Sequence, residues 1–271
     1  MKNLLAAVFC AAIVAFTFTG CSKDDNVPPV NSKTFVIVHG AWSAPYAWQS
    51  VKAKLEAEGQ KVVIVQLAGH GSDNTTAFNT IHLNTYRDQV VHVIDSLNTK
   101  VILCGHSMGG MVITQVAEKI PSKIEKMVYV NAFLPVNNQT LLDLANTDGG
   151  SLLGQKLIQI QDGVILDVPH DLITDIFVQD GSDAVKNLVI SNYRTEPGMP
   201  FGEPATITKA NYGSVDKYYI HTLQDHAITY NLQQRMVAAA GIKKTYTLNT
   251  SHSPFLAKPD SLSIILEKIA K

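Results

Sequence analysis

From residue 34 onward the chain alternates between two kinds of apolar segment. One kind is short and has no period, as in Thr34-Phe-Val-Ile-Val38 and Lys100-Val-Ile-Leu-Cys104. Runs of this sort suit strands covered on both faces. The other kind is longer and amphipathic, as in Gly110-Met-Val-Ile-Thr-Gln-Val-Ala117, and suits helices with one face on a core. The series predicts strands over 34–39, 61–67, 100–104, 126–132, 217–222 and 243–248, and helices over 46–58, 84–98, 108–120, 227–240 and 258–270. Strand and helix taking turns imply an α/β fold: a mostly parallel six-stranded sheet flanked by helices on both faces. The expected strand order is 2-1-3-4-5-6.

Residues 136–211 break this alternation. They hold Gly149-Gly150, Gly154, Gly163, Pro169, Gly181, Pro197, Gly198, Pro200 and Pro204, with short amphipathic pieces such as Leu172-Ile-Thr-Asp-Ile-Phe-Val178. The expected layout is therefore one α/β core, 34–135 and 212–271, carrying an insertion at 136–211.

Chemistry enters at Gly105-His-Ser-Met-Gly109, which lies between a strand signal and a helix signal. Glycines at 105 and 109 remove Cβ atoms that would collide as strand reverses into helix, leaving Ser107 exposed at a helix N-terminus. A serine needs a base, and the base needs an orienting acid. In the strand–turn–helix arrangement the chain order is serine, acid, histidine. Of nine histidines, His170, His221, His226 and His252 follow Ser107. His170 sits in a mixed polar segment, His221 inside a strand, and His226 at the opening of a helix. His252 lies in the loop Asn249-Thr-Ser-His-Ser-Pro254 after the last strand, at the sheet edge where such sites form. Asp225 follows the preceding strand and is the matching acid, whereas Asp216 would lie at the opposite edge. The turn His39-Gly40-Ala41-Trp42 ends the first strand. Backbone N–H groups of Ala41 and Met108 are the expected oxyanion donors. Gly40, Trp42 and Phe133 are the expected substrate-lining residues, and His39, His106 and His70 are read as packing or loop residues.

On these residues the chain resembles the α/β-hydrolase superfamily, and within it the branch of plant hydroxynitrile lyases and plant methylesterases. The likeness runs through Val38-His-Gly-Ala-Trp42, Trp48, Leu67-Ala-Gly-His-Gly71, Gly105-His-Ser-Met-Gly-Gly110, Asn131-Ala-Phe-Leu-Pro135, Tyr212–Asp225 and the His252 loop. The resemblance implies nucleophile Ser107, acid Asp225, base His252 and a cap formed by the insertion. It implies a small-molecule ester substrate and no cofactor. Lyases of this branch carry a lysine after the catalytic histidine and a threonine in the first loop; here Ser253 and Gly40 stand in those places. Cyanohydrin cleavage loses its specific support, while ester hydrolysis loses nothing. A catalytically idle member that binds an apolar ligand is the alternative from another class.

The formal net charge is −1 and no basic patch occurs, so no nucleic-acid partner is expected. Neither H-E-x-x-H nor C-x-x-C occurs, so no metal is expected. The front of the chain has a charged start, an apolar run from Leu4 to Phe18 and then Phe18-Thr-Gly-Cys21. The run is shorter than the roughly 20 residues that span a bilayer and reads as a signal peptide over 1–20. The last four residues resemble a bacterial lipoprotein box, which implies lipid on Cys21, a lipidated tether over 21–33, and membrane attachment in the bacterial cell envelope. Of the three cysteines, that leaves Cys104 as a small core residue.

Overall fold

Six strands form one sheet: β1 (Thr34–Val38), β2 (Lys61–Val65), β3 (Val101–His106), β4 (Ile124–Val130), β5 (Asp216–Thr222) and β6 (Lys244–Leu248). The computed structural model describes residues 32–271. The expected signal peptide, Cys21 and all but the last two residues of the tether lie outside the described residues. The strand order is β2-β1-β3-β4-β5-β6, and every pairing in this sheet is parallel. Register sets the working edge. Val38 pairs with Gly105, Gly105 with Tyr129, Val130 with Ile220, and Thr222 with Leu248. The loops after β1, β3, β4, β5 and β6 thus leave the sheet side by side.

Alternate residues of the apolar runs serve opposite faces, which explains their lack of a polar period. Val36, Leu103, Met127 and Tyr219 pack with helices α2 (Leu83–Ser96), α3 (Gly109–Lys119) and α4 (Tyr230–Ala240). Phe35, Ile37, Cys104, Val128 and Ile220 pack with α1 (Gln49–Ala57) and α5 (Pro259–Ala270). On that second face Trp48 stacks on Phe255 with ring centroids 4.3 Å apart.

Element ends differ from expectation for local reasons. The segment before α1 opens as a 3-10 turn, Pro45–Trp48. β3 runs on to His106 because its ladder with β4 continues to the His106–Val130 pair. α4 starts at Tyr230 rather than 227, since Thr229 caps it by accepting the Leu232 N–H at 3.3 Å. His226 therefore lies in a bend and does not open the helix.

Between β4 and β5 the insertion folds into four short helices, Leu141–Ala145, Leu152–Lys156, Ile173–Phe177 and Asp183–Asn192. It also forms a small antiparallel sheet of Ile158–Ile160, Ile165–Asp167 and Glu196–Pro197. Ile173, Ile176, Phe177 and Val189 bury in the same cluster as α2, α3 and α4, so the insertion is fused to one face of the core.

Candidate active site

Ser107 occupies the turn between β3 and α3 with φ +53°, a left-handed conformation that a non-glycine residue adopts only at a cost. The serine is buried, yet it lines a cavity shared with Ala41, Met108, Phe133, Leu141 and Leu153. Gly40 lies against it from the next loop. A Cβ on Gly40 would stand 2.7 Å from Ser107 Cβ and 2.8 Å from His106 Nδ1, so no threonine fits there without movement.

Across the same edge, His252 Nδ1 donates to the Asp225 carboxylate, 2.9 Å from each oxygen. Both side chains are buried. Asp225 also accepts the Ala227 and Ile228 N–H groups at 2.8 and 2.9 Å, Thr222 Oγ1 at 3.0 Å and Asn131 Nδ2 at 2.9 Å. Burial pushes its carboxyl upward, but the His252 charge and these donors outweigh that and hold it below the usual carboxylate range. A carboxylate kept ionised in this way fixes the imidazole and stabilises its charged form.

Asn131, at the end of β4, donates its second amide hydrogen to the His252 carbonyl at 2.8 Å. It ties acid and base to the same point, and its φ of +32° aims the side chain at both. Asn131 stands among the residues that carry the family resemblance, but nothing in the sequence assigns it a role in the site. His106 is a brace: its Nε2 meets the His252 carbonyl at 2.9 Å. Burial and then the His252 charge push its pKa well below the ordinary value, so it stays neutral. Ser107 Oγ and His252 share no hydrogen bond. Ala41 and Trp42 line both the Ser107 cavity and the crevice that holds His252.

The turn after β1 has a defined internal order. His39 Nε2 accepts the Leu67 N–H at 3.3 Å, which leaves Nδ1–H to donate to the Gly40 carbonyl at 2.8 Å. Burial, then the charge of His70, lowers the His39 pKa to about 3, so this neutral tautomer persists. Among the described residues, neither the Ala41 nor the Met108 N–H donates to a protein acceptor. Two unused N–H groups beside a serine are what a developing oxyanion needs.

The insertion reaches each of these loops through a carboxylate. Glu196 accepts the Trp42 N–H at 2.7 Å, Asp180 the Ser251 N–H at 3.2 Å, and Asp148 the Thr229 N–H at 2.8 Å. His70, expected to be a plain loop residue, is instead buried against Glu196 at 2.8 Å. Of the residues expected to line the substrate, Trp42 and Phe133 line this cavity, while Gly40 lies against Ser107. Cys104 is a free, buried thiol whose pKa burial pushes up. No group of three or more His, Cys, Asp or Glu side chains is arranged to hold a metal among the described residues.

This strand–turn–helix serine, with its parallel sheet and inserted roof, can be compared with known proteins. A model described as the alpha/beta hydrolase family matches residues 35–263. The chain belongs to the alpha/beta hydrolase family. The hydrolase is 32% identical over 267 residues to an Arabidopsis thaliana protein named "Putative methylesterase 11, chloroplastic", covering 94% of this chain and 67% of that one. It covers 56% and 59% of two further chloroplastic relatives, so it spans little more than half of their length. Methylesterase 7 of Arabidopsis thaliana is 29% identical, with 89% of this chain and 97% of that one covered. Among solved structures, polyneuridine aldehyde esterase superposes with a TM-score of 0.79 at 23% identity, covering 89% of this chain and 100% of that one. At that identity the likeness speaks for the fold.

Proposed function

We propose that the hydrolase cleaves carboxylic esters through an acyl-enzyme on Ser107. One arrangement carries the reading: Ser107 held at φ +53° beside the unused Ala41 and Met108 N–H groups, with His252 clamped by Asp225 across the same sheet edge. The methylesterase relatives support the same reaction class. His252 Nε2 takes the proton of Ser107 as Oγ attacks the ester carbonyl. The oxyanion is held by the two N–H groups, and the alcohol leaves with the proton from His252. Water then attacks the acyl-serine by the same route. The Ser107–His252 contact tightens on substrate, a common behaviour of unliganded sites.

The cavity at Ser107 is walled by Phe133, Leu141, Leu153, Leu157, Phe201 and Leu232, with no cation among its lining residues. Such walls favour an uncharged, apolar acid or alcohol portion, and a methyl or other small alkyl ester of an apolar acid fits them. The signal-like front of the chain and Phe18-Thr-Gly-Cys21 support a place in the bacterial cell envelope, with the membrane held through lipid on Cys21.

Turnover of p-nitrophenyl acetate and labelling by a fluorophosphonate test the reading together. Ser107→Ala should abolish labelling and lower kcat by about 10⁴-fold or more. Near-normal turnover in that variant would remove Ser107 from its role. A wild-type protein that neither labels nor turns over any ester points to the idle, ligand-binding reading.

A further inference from the structure

The Glu196–His70 pair has no part in the catalytic sequence above, yet both of its side chains are buried. Glu196 comes from the insertion, at the short strand Glu196–Pro197, and its side chain is fully buried. One oxygen, Oε2, accepts both the Trp42 N–H at 2.7 Å and His70 Nε2–H at 2.8 Å. The other, Oε1, has no protein partner. The opposite ring nitrogen of His70 faces the Ala68 carbonyl at 2.9 Å. Both nitrogens face oxygens, the pattern of an imidazolium beside a carboxylate, and the Glu196 charge and hydrogen bond raise the His70 pKa against the effect of burial. A buried ion pair of this kind is often no more stable than apolar residues of the same volume, so anchoring the roof is a poor reason for keeping it.

Its position suggests a better one. Trp42 follows Ala41 and sits at φ +53°, in the left-handed region that a bulky residue rarely adopts. Two successive peptide units of this turn are gripped from outside. His39 Nδ1–H holds the Gly40 carbonyl at 2.8 Å, and Glu196 holds the Trp42 N–H. In a trans peptide the N–H points opposite to its carbonyl, so fixing the Gly40 oxygen and the next N–H leaves the Ala41 N–H a single direction. His70 cancels the carboxylate charge, which would otherwise oppose an anion forming one residue away.

We propose that Glu196, neutralised by His70, is a positioning residue: from the insertion it locks the Ala41–Trp42 turn so that the Ala41 N–H meets the oxyanion formed at Ser107. The proposal rests on the ester hydrolase reading and extends it from the core into the roof.

The test compares the full mature chain with Glu196→Ala and Glu196→Gln on p-nitrophenyl acetate. A misaimed donor harms the transition state more than the bound ester. Glu196→Ala should lower kcat about 30- to 100-fold with KM changed by less than about threefold. Glu196→Gln keeps an oxygen for the Trp42 N–H and should recover about tenfold of that loss. Affinity for a phenylboronic acid, whose serine adduct is tetrahedral and anionic, should fall in step with kcat. If Glu196→Ala does not fold, Glu196→Gln with kcat and boronate affinity both within about twofold of wild type overturns the proposal. So does a folded Glu196→Ala that changes only KM or Tm, the signature of a mere anchor. A wild-type protein inactive on every ester sinks the hydrolase reading instead, a result the wild-type control separates from the variant outcomes.

Discussion

At Gly110, in the first turn of α3, an added Cβ would lie 2.1 Å from the Phe133 carbonyl. On the other side of the cavity, the insertion meets the catalytic loops through the side chains of Asp148, Asp180 and Glu196. The core thus fixes the nucleophile by laying backbone directly on backbone, a contact with no adjustable part. The roof joins the core by apolar packing and by the Leu152 N–H donating to the His226 carbonyl. In addition, three of its carboxylates each capture a loop N–H. Backbone contact gives rigidity and tolerates no substitution. Carboxylate contacts give direction and can be rebuilt around a different substrate. On the ester hydrolase reading, reaction type is assigned to the first region and substrate choice to the second.

The largest test of that division is Asp225→Asn. With the imidazole no longer held in its donor tautomer, kcat should fall about 10⁴-fold, while relative preference among acetyl, butyryl and octanoyl esters stays as in wild type. A loss of preference as large as the loss of rate would merge the two regions. The converse is Leu153→Phe, which narrows the cavity from the roof helix Leu152–Lys156. The octanoyl-to-acetyl ratio of kcat/KM should drop about tenfold, since misfit in an apolar pocket is worth roughly 1–3 kcal/mol, with acetate turnover kept. An unchanged ratio means the acyl chain does not lie along Leu153.

The smallest effect is a pH dependence confined to the roof. His70 faces Glu196, His39 and Tyr86 and feels the charge of Arg194. Burial pushes its pKa down, but the Glu196 charge and hydrogen bonds outweigh that and raise it above its ordinary 6.5. A raised folded value means the stabilisation is complete below the unfolded pKa and is lost as pH rises through the folded one. Hydrogen exchange, corrected for its intrinsic pH dependence, should show residues 194–198 losing protection on the alkaline side of that range. β3 and β4, packed by apolar contacts, should hold theirs; equal loss in both regions removes the distinction.

The same contrast explains what the chain disclosed before any coordinates. Strands covered on both faces leave unbroken apolar runs, and a G-x-S-x-G turn leaves its own local mark, so the strands and the Ser107 turn were readable from short windows. Asp225 and His252 were placed at the working edge because each lies in the loop after a strand, one ending at Thr222 and the other at Leu248. Asn131 was not, because a single amide after an apolar strand looks like any turn residue, and its two partners lie 94 and 121 positions away. Glu196 sits in a stretch of glycine and proline, and its partner His70 is 126 positions earlier; no period or spacing links them. The three-stranded sheet of the insertion was equally hidden, since strands of two or three residues carry no alternation to detect.

The outermost strand, β6, and the loop that presents His252 come after every other strand of the sheet in chain order. On the ester hydrolase reading, a nascent chain therefore carries its nucleophile well before the base that would activate it. On that reading, the site stays incomplete until β6 has docked beside β5.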